Sequence, residues 1–446
     1  NKGFKLSLYN RFVKNKEEKV AELFITEFPE LSDAKAFEDL AAFVQSLSLP
    51  RKIMLMVHAG QATDDLIDQL IPLLDKGDVL IDGGNAYYLD TEKRINLLKK
   101  WGIHFIGSGV SGGEEGALKG PSIMPGGSIE GYQLIQPFFK KIAATNNKGI
   151  NCCNYIGAGG AGHFVKMVHN GIEYAEMQLL AELVQFLKIT AGFTNDLIAL
   201  LLHPFLQTEK TSYLLEITIQ ILQKKWKEEY LVDQILDNAG NKGTGSWTTI
   251  EAAKRGIPIP TLTAALNARF MSSMWEDRRQ AAAALLTSTQ KQSVNIDSVM
   301  EAYQLCRIIN HHQGFQLIET VSKQESWDIN LSELAQTWTA GCIIRSRLME
   351  EIEMLIGQSN NLLMHPIMVQ KCNQSVDSLK QMLSVALFNE LPMDCFSASA
   401  QYLFGYKQAA SGASLIQAQR DFFGAHTYQL KEDPQGPFYH TNWQSA

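Results

Sequence analysis

Short apolar runs that end in small-residue loops recur through the first third of the chain. This pattern restricts the possible folds of the chain more than any other feature of its sequence. The strand candidates are Phe4–Tyr9, Lys52–Val57, Asp78–Ile81 and Ile103–Ile106. Helical periodicities such as Thr63–Leu74 and Thr91–Lys100 separate them. Apolar strands separated by helices are typical of a parallel sheet that is covered on both faces. We therefore predict a doubly wound α/β domain, in which ligands bind at the carboxyl ends of the strands.

The character of the sequence changes near residue 160. Strand signals nearly vanish from there to about residue 410, and Gly162–Ala191 could form a single long helix. We predict a Rossmann-like α/β domain at residues 1–159, an all-helical domain at residues 160–410, and an extended tail at residues 411–446. Because Gln435–Trp443 is rich in turn-forming and aromatic residues, we expect it to form no helix and to dock on other structure.

Composition excludes several classes of function. The formal net charge of -7 argues against a protein that coats nucleic acid, although a local Arg and Lys cluster could still bind a small phosphorylated molecule. The 6 cysteines show no CxxC spacing, so they indicate neither a zinc site nor a disulfide framework. The sequence contains no membrane-length apolar run and no signal-peptide pattern. We therefore expect a soluble protein of the reducing cytoplasm.

A dinucleotide site is indicated only in part. The G-x-G-x-x-G loop that follows the first strand of such domains is absent. Asn1–Gly3 reads as the end of a helix, so we expect that residues belonging upstream are missing from this sequence. Gly157–Gly162 precedes a long helix at the wrong end of the domain, which favours a domain-junction turn. Asn10 and Arg11 follow the first strand, where an Arg pairs with the 2′-phosphate of NADP.

The segment from Lys166 to Glu173 carries the most chemical information. On a helix, four polar side chains fall at positions i, i+3, i+4 and i+7 and share one face: Lys166, His169, Asn170 and Glu173. An amine, an imidazole, an amide and a carboxyl on one face suit acid–base chemistry. The same spacing occurs on ordinary solvated helix faces, and the spacing alone favours that alternative.

Two glycine-rich loops follow predicted strands, one ending at Asn85 and the other spanning Ser111, Gly112 and Gly113. Glycines let backbone amides approach an anionic or hydroxylated ligand, and the Asn85 and Ser111 side chains can hydrogen-bond to it. Each loop is a weak signal alone, and their combination with the Lys166 helix indicates a site. A phosphate pocket also needs fixed cations and donors, which composition alone cannot select. The candidates are Lys242, Thr244, Arg269, Arg420 and His426.

Several longer blocks resemble the 6-phosphogluconate dehydrogenase family. The blocks are Ile81–Asn85, Gly107–Gly116, Gly160–Tyr174, Gly243–Gly245, Gly341–Ser346, Ala413–Tyr428 and His440–Trp443. The resemblance implies oxidation of the 3-hydroxyl of 6-phosphogluconate by NADP and loss of carbon dioxide, without a metal, to give ribulose 5-phosphate in the pentose phosphate pathway. It also implies an obligate homodimer, in which the tail reaches the active site of the other subunit.

The resemblance implies a role for each matching residue. Lys166 matches the general base, which must be neutral at the start and so needs a lowered pKa, and Glu173 matches the acid that protonates C1 of the enediol. The residues that match substrate-positioning groups are Asn85, Ser111, Gly112, Gly113, His169 and Asn170. The residues that match phosphate-binding groups are Tyr174, Lys242, Thr244, Arg269, Arg420 and His426. The residues expected at the cofactor are Asn10, Arg11, Val57, His58, Ala59 and Asn85.

Three departures from the family pattern affect these expectations. The family's first strand and glycine loop are missing, His58 stands where Lys is common near the cofactor, and Ser246 replaces a common Lys near the phosphate region. Two other functions stay open. One is a related β-hydroxyacid dehydrogenase that acts on a smaller acid and needs no phosphate pocket. The other is a catalytically impaired binding protein that descends from the enzyme and lacks the dinucleotide loop.

Overall fold

The structure is a computed structural model that describes residues 2–240, 243–359 and 361–444, with only the backbone of Thr244. The chain divides into two compact units, Asn1–Ser399 and Ala400–Ala446. Within the described residues, no single helix is long and apolar enough to cross a membrane, while one bent pair, Ala161–Ala191 with Asn195–Gln207, passes the same test by length and composition.

Strands and helices alternate through the first part of the larger unit. The strands are β1 (Ser7–Tyr9), β2 (Lys35–Phe37), β3 (Lys52–Leu55), β4 (Val79–Asp82), β5 (His104–Ser111) and β6 (Ser122–Gly127). The helices are α1 (Val20–Glu27), α2 (Leu40–Gln45), α3 (Gln61–Leu70), α4 (Tyr88–Lys99), α5 (Gly113–Lys119) and α6 (Ile129–Ile142). Short 3₁₀ turns occupy Pro29–Leu31 and Ile71–Leu73.

The strands form two sheets. β1 and β2 pair in parallel, and β3, β4, β5 and β6 form a second sheet in that order. The β3–β4 and β4–β5 pairs are parallel, as predicted, whereas β6 is an antiparallel edge strand that the sequence patterns did not predict. β1 is shorter than the predicted Phe4–Tyr9 because its partner β2 offers three residues. β5 is longer than predicted, because its pairing with β6 continues to Ser111.

One buried apolar cluster lies beneath both sheets. It contains residues of α2, β3, β4 and β5, and aromatic side chains of β1 and β2 pack against it. Its members include Phe43, Val44, Ile53, Leu55, Leu80 and Phe105, with Tyr9 and Phe37 at its margin. Burial of these side chains contributes on the order of 1.5–3 kcal/mol for each large residue that is fully buried. The cluster therefore fixes the strands whose carboxyl ends carry the predicted ligand-binding loops.

Helices dominate the rest of the chain. They are α7 (Ala161–Phe186), α8 (Asn195–Leu202), α9 (Tyr213–Gln223), α10 (Leu231–Gln234), α11 (Thr244–Lys254), α12 (Pro260–Ser273), α13 (Trp275–Ala284), α14 (Ile296–Gln324), α15 (Leu331–Thr337), α16 (Arg347–Ile356), α17 (Pro366–Phe388), α18 (Asp394–Tyr406) and α19 (Ala413–Gly424). Two short strands, β7 (Lys225–Trp226) and β8 (Glu229–Tyr230), form a hairpin. His203–Gln207 and Leu362–Met364 are 3₁₀ turns, and α7 continues as a π-helical turn, Leu187–Ala191.

α7 is the central element of the larger unit. The glycine-rich segment before it forms a turn, as expected, and the helix begins at Ala161. Helices α11, α12 and α14 pack around it, and β5 and β6 pack against its first turns. A Cβ on Gly162 would collide with the carbonyl oxygen of Gly107, and a Cβ on Gly109 would collide with Lys166. Glycine at these two positions therefore lets the helix lie directly on the backbone of β5.

The smaller unit contains α19 and the end of the chain. The Asp421 carboxylate is buried and accepts hydrogen bonds from the backbone amide of Thr441 (3.0 Å), the Trp443 indole (2.8 Å) and the His440 imidazole (3.0 Å). These bonds, to which the Thr427 amide adds another, hold the pKa of Asp421 well below its usual range despite the opposing effect of burial. The aromatic segment is non-helical, as expected, and docks on α19 of its own unit.

Candidate active site

α7 places Lys166, His169 and Glu173 beside one another. Lys166 Nζ donates to His169 Nδ1 at 3.5 Å, and His169 Nδ1 lies 3.7 Å from a carboxylate oxygen of Glu173. Lys166 is 6% exposed and His169 is 0% exposed. Asn170 is also buried and hydrogen-bonds to His169. The face predicted from the spacing therefore exists, and the alternative of an ordinary solvated face is wrong.

Burial shifts the proton affinities of these groups in opposite directions. It lowers the pKa of Lys166, against the opposing charge of Glu173. It raises the pKa of Glu173, against the opposing charges of Lys166 and Arg269. Burial and the nearby charge of Lys166 hold the pKa of His169 well below its usual range, so its contact with Glu173 is not an ion pair at neutral pH. Near neutral pH, both shifts increase the fraction of Lys166 that is neutral and the fraction of Glu173 that is protonated.

Ser111, the last residue of β5, fixes the orientation of the imidazole. His169 Nδ1 accepts from Lys166, so Nε2 carries the proton and donates to Ser111 Oγ at 3.2 Å. The Trp338 ring packs edge-on against His169 with 5.5 Å between ring centroids. Gly112 has a positive φ of 137°, and a Cβ there would lie 2.6 Å from the carbonyl oxygen of Gly341. Two of the blocks that carry the family resemblance therefore meet at this loop.

A buried cluster holds the turn that carries Asn85. The Asp82 carboxylate accepts from the Gly84 amide (3.0 Å) and pairs with Arg94 (3.1 Å). The Asp82 carbonyl accepts from Nε2 of His163 at 3.2 Å, which ties the turn to α7 one helical turn before Lys166. Sequence reasoning did not single out Asp82, Arg94 or His163. The only signal for two of them was their position beside motifs. Asp82 lies in the block that ends at Asn85, and His163 lies three residues before Lys166.

The residues predicted to contact the cofactor lie at the carboxyl ends of three parallel strands. Asn10 and Arg11 follow β1, Asn85 follows β4, and Val57, His58 and Ala59 follow β3. Of the six, Asn10 is half-buried and the others are exposed. Arg94 also donates to the Gly60 carbonyl at 3.1 Å, so one buried guanidinium braces the loops after β3 and β4.

Some of the residues predicted to bind the phosphate lie close together near the start of α11. The Arg269 guanidinium lies 3.4 Å from the Tyr174 ring centroid and donates to the Gly240 carbonyl at 3.0 Å. A Cβ on Gly245, in the first turn of α11, would lie 2.8 Å from the Tyr174 ring. Tyr174 itself is one residue beyond Glu173 on α7. Lys242 and the side chain of Thr244 lie outside the described residues.

The two tail residues belong to the smaller unit. Arg420 is exposed on α19 and donates to the Gln417 side chain at 3.0 Å. His426 follows Ala425, which ends the helix with a positive φ of 48°. Their approach to the other site residues stays a prediction.

The fold and the site together define a class of protein. Loops at the ends of parallel strands face a helix that carries a buried Lys and a half-buried Glu, which is the arrangement of a two-domain dehydrogenase. Residues 1–157 match the family model described as the NAD binding domain of 6-phosphogluconate dehydrogenase, and residues 162–443 match that of its C-terminal domain. The chain belongs to the 6-phosphogluconate dehydrogenase family, and the resemblance seen in its sequence is confirmed.

Relatives and a solved structure agree with this placement. The chain is 43% identical over 455 residues to "6-phosphogluconate dehydrogenase, decarboxylating" of Klebsiella pneumoniae, covering 99% of this chain and 95% of that protein. It is 43% identical to the protein of that name from Citrobacter amalonaticus, covering 96% and 97%. The Plasmodium falciparum 6-phosphogluconate dehydrogenase, solved in apo form and with NADP+ or 6-phosphogluconate, superposes with a TM-score of 0.94 at 35% identity, covering 99% and 96%.

Proposed function

We propose that the chain oxidises and decarboxylates 6-phosphogluconate to ribulose 5-phosphate and carbon dioxide, with reduction of NADP. It is an NADP-dependent decarboxylating oxidoreductase of its family. The observation that carries the proposal is the pair on α7 formed by buried Lys166 and half-buried Glu173, in which the pKa of Lys166 is lowered and that of Glu173 is raised. These are the shifts that a general base and a general acid need in order to work near neutral pH.

Lys166 and Glu173 divide the proton transfers between them. Neutral Lys166 takes the 3-hydroxyl proton while C3 is oxidised, and bound NADP supplies the acceptor for the hydride. The resulting ammonium then protonates the C3 oxygen as the bond to the carboxylate breaks and carbon dioxide leaves. Glu173 protonates the carbon that has lost the carboxylate, and Lys166 takes back the enediol proton as the ketone forms. One proton must then return from Lys166 to Glu173 before the next turnover.

The residues at the strand ends fit NADP. The Arg11 side chain is 71% exposed, so its guanidinium is accessible to a 2′-phosphate. Glu17 forms an ion pair with it at 3.2 Å. Asn10 lies beside it, and Val57, His58 and Ala59 offer an open backbone after β3. Asn85 follows β4, which lies between β3 and β5 in the sheet, and β5 packs against α7, so Asn85 would contact both cofactor and substrate. The residues of 1–159 would thus hold the cofactor and those of 160–410 most of the substrate.

The residues proposed to bind the substrate belong to the loops and helices around Lys166. Asn85, Ser111, Gly112, Gly113, His169 and Asn170 orient the sugar acid. Tyr174, Lys242, Thr244 and Arg269 bind the phosphate, which the guanidinium stacked on Tyr174 supports. A phosphate pocket has no use in a dehydrogenase of smaller acids.

The assembly is a homodimer in which the tail, residues 411–446, contributes Arg420 and His426 to the phosphate site of the other subunit. Large apolar side chains exposed on α19 support a partner surface there, since Phe422 and Phe423 are 56% and 72% exposed in the single chain. The chain works in the reducing cytoplasm, which its six free and buried cysteines support.

Turnover with matched substrates tests the proposal. The purified chain should form NADPH and carbon dioxide in a 1:1 ratio from 6-phosphogluconate, with a far lower kcat/KM for gluconate, which lacks the phosphate. NADPH formation without carbon dioxide would contradict the decarboxylation, and equal use of gluconate would indicate a dehydrogenase of smaller acids. No turnover between about pH 6 and pH 9, the range of such acid–base pairs, would leave the impaired binding protein as the better description.

A further inference from the structure

Glu251 of α11 lies in the interior and gathers hydrogen bonds from the other part of the larger unit. Its side chain is 1% exposed. The Tyr87 hydroxyl donates to Oε1 at 2.5 Å, and the Tyr88 hydroxyl donates to Oε2 at 2.9 Å. These two tyrosines follow Asn85 and Ala86 directly and begin α4. One carboxylate therefore connects the Asn85 turn of the α/β part to a helix of the helical part.

Two cations complete the cluster. Lys254 Nζ donates to Oε1 at 2.9 Å, and the Arg255 guanidinium contacts Oε2. Arg255 also donates to the Tyr88 hydroxyl (3.1 Å) and to Glu325 (2.8 Å). Burial alone would raise the pKa of Glu251, but hydrogen bonds from Tyr87, Lys254 and Tyr88 outweigh it and lower the pKa. The carboxylate is therefore ionised at neutral pH and fully hydrogen-bonded.

The same face of α11 carries a second contact with the Asn85 turn. Trp247 precedes Glu251 by four residues, so both side chains lie on one face of the helix. The Trp247 ring packs on Tyr87 with 5.2 Å between ring centroids. The first turn of α11 lies against Tyr174, which belongs to the proposed phosphate group. α11 thus joins the turn that would hold the reacting end of the substrate to the residues that would hold its phosphate.

We propose that Glu251 is a positioning residue, which sets the separation between the Asn85 turn and the phosphate-binding start of α11. The inference rests on the proposed function, because only a substrate that contacts both places can sense their separation. Correct spacing lets the energy of phosphate binding hold C3 at Lys166, which is how binding remote from the reaction accelerates chemistry. Without the carboxylate, the Tyr87 and Tyr88 hydroxyls lose their shared acceptor. The Arg255–Tyr88 hydrogen bond and the packing of Trp247 on Tyr87 remain, and they hold the two elements less firmly.

The ratio of kcat/KM for 6-phosphogluconate to that for gluconate measures this coupling directly. Glu251→Gln should lower the ratio roughly tenfold, since a displacement of about 1 Å can cost a hundredfold in rate. Tyr87→Phe removes one half-buried hydroxyl, leaves the fold least disturbed, and should lower the ratio less but in the same direction. Lost stability or lost active enzyme reduces both rates alike and leaves the ratio unchanged.

Glu182→Gln is the matched control. Glu182 is also buried, and it accepts hydrogen bonds from the amides of Cys395 and Phe396, which belong to α18 and not to α4. This variant should lower the melting temperature and leave the ratio at the wild-type value. As a readout without cofactor, the rise in melting temperature caused by 6-phosphogluconate should shrink in Glu251→Gln and persist in Glu182→Gln.

An unchanged ratio in both Glu251→Gln and Tyr87→Phe, each as a folded protein, overturns the positioning role. So does an equal fall of the ratio in Glu182→Gln. Failure of the proposed function is a different result, because the wild-type chain would then show no preference for 6-phosphogluconate over gluconate.

Discussion

The two sides of the proposed active site differ in their exposure to water. On α7, Lys166 is 6% exposed and His169 is 0% exposed, and burial is the largest influence on the pKa of each. At the strand ends, the Arg11 side chain is 71% exposed, and His58 and Asn85 are exposed as well. If the proposed roles hold, desolvation controls the chemistry on one side, while accessible charge and backbone control binding on the other.

This difference indicates what each kind of substitution should change. A group in a dry environment interacts strongly with its neighbours, and its removal should reduce kcat by orders of magnitude. A solvated cation is screened, so its removal should alter ligand affinity modestly and in a salt-dependent way. The expected effects therefore fall steadily from α7 to the cofactor edge.

The largest effect is expected for Lys166→Ala. Loss of the general base should reduce kcat by about 10³-fold, while the dissociation constant for 6-phosphogluconate, measured calorimetrically, changes little. Lys93→Ala, at a lysine whose side chain is 77% exposed, serves as the control and should retain activity. An active Lys166→Ala enzyme would refute the base assignment and with it the contrast between the two sides.

Glu173→Gln should have the next largest effect, a loss in kcat of about 10²-fold. Its pH profile separates the acid from the base. Activity requires a neutral Lys166, so it rises with pH, and a protonated Glu173, so it falls at higher pH. Because an amide does not ionise, the variant should keep the rise and lose the alkaline fall. A bell-shaped profile that survives the substitution would assign the acid to another residue.

Arg11→Gln tests the exposed side. Loss of the guanidinium should raise KM for NADP about tenfold, leave kcat nearly unchanged, and flatten the dependence of that KM on salt. NAD provides the control within the same protein, since it lacks the 2′-phosphate and its KM should stay constant. A large fall in kcat would show that this edge is coupled to the chemistry more tightly than its exposure indicates.

The smallest effect is expected for His58→Lys, which adds a charge where the family commonly carries one. KM for NADP should fall about twofold at low salt, as exposed ion pairs contribute little. His203→Lys adds the same charge at an exposed position on a 3₁₀ turn and should change nothing. A much larger gain would mean that His58 lies in a less solvated environment than it appears in the free chain.

Spacing predicted the polar face of α7, because Lys166, His169 and Glu173 lie on one helix whose period is known. It did not predict that the face is buried, since this depends on helices distant in sequence. His163 was missed for the same reason: its partners are Thr91, 2.6 Å away, and the Asp82 carbonyl. β6 was not predicted, because Pro125 and two glycines interrupt the apolar run of a strand, whereas Ser122–Gly127 is entirely buried at the edge of the sheet.

The glycine contacts between β5 and α7 also limit how this molecule can move. Backbone atoms of the two elements touch at Gly109 and Gly162, so the helix cannot slide or roll on the strand without a collision. Any hinge that admits substrate and releases carbon dioxide must therefore leave this pair as one rigid body. The amides of α7 around Lys166 should show the slowest exchange in the chain, and opening should be confined to the loops and helices around them.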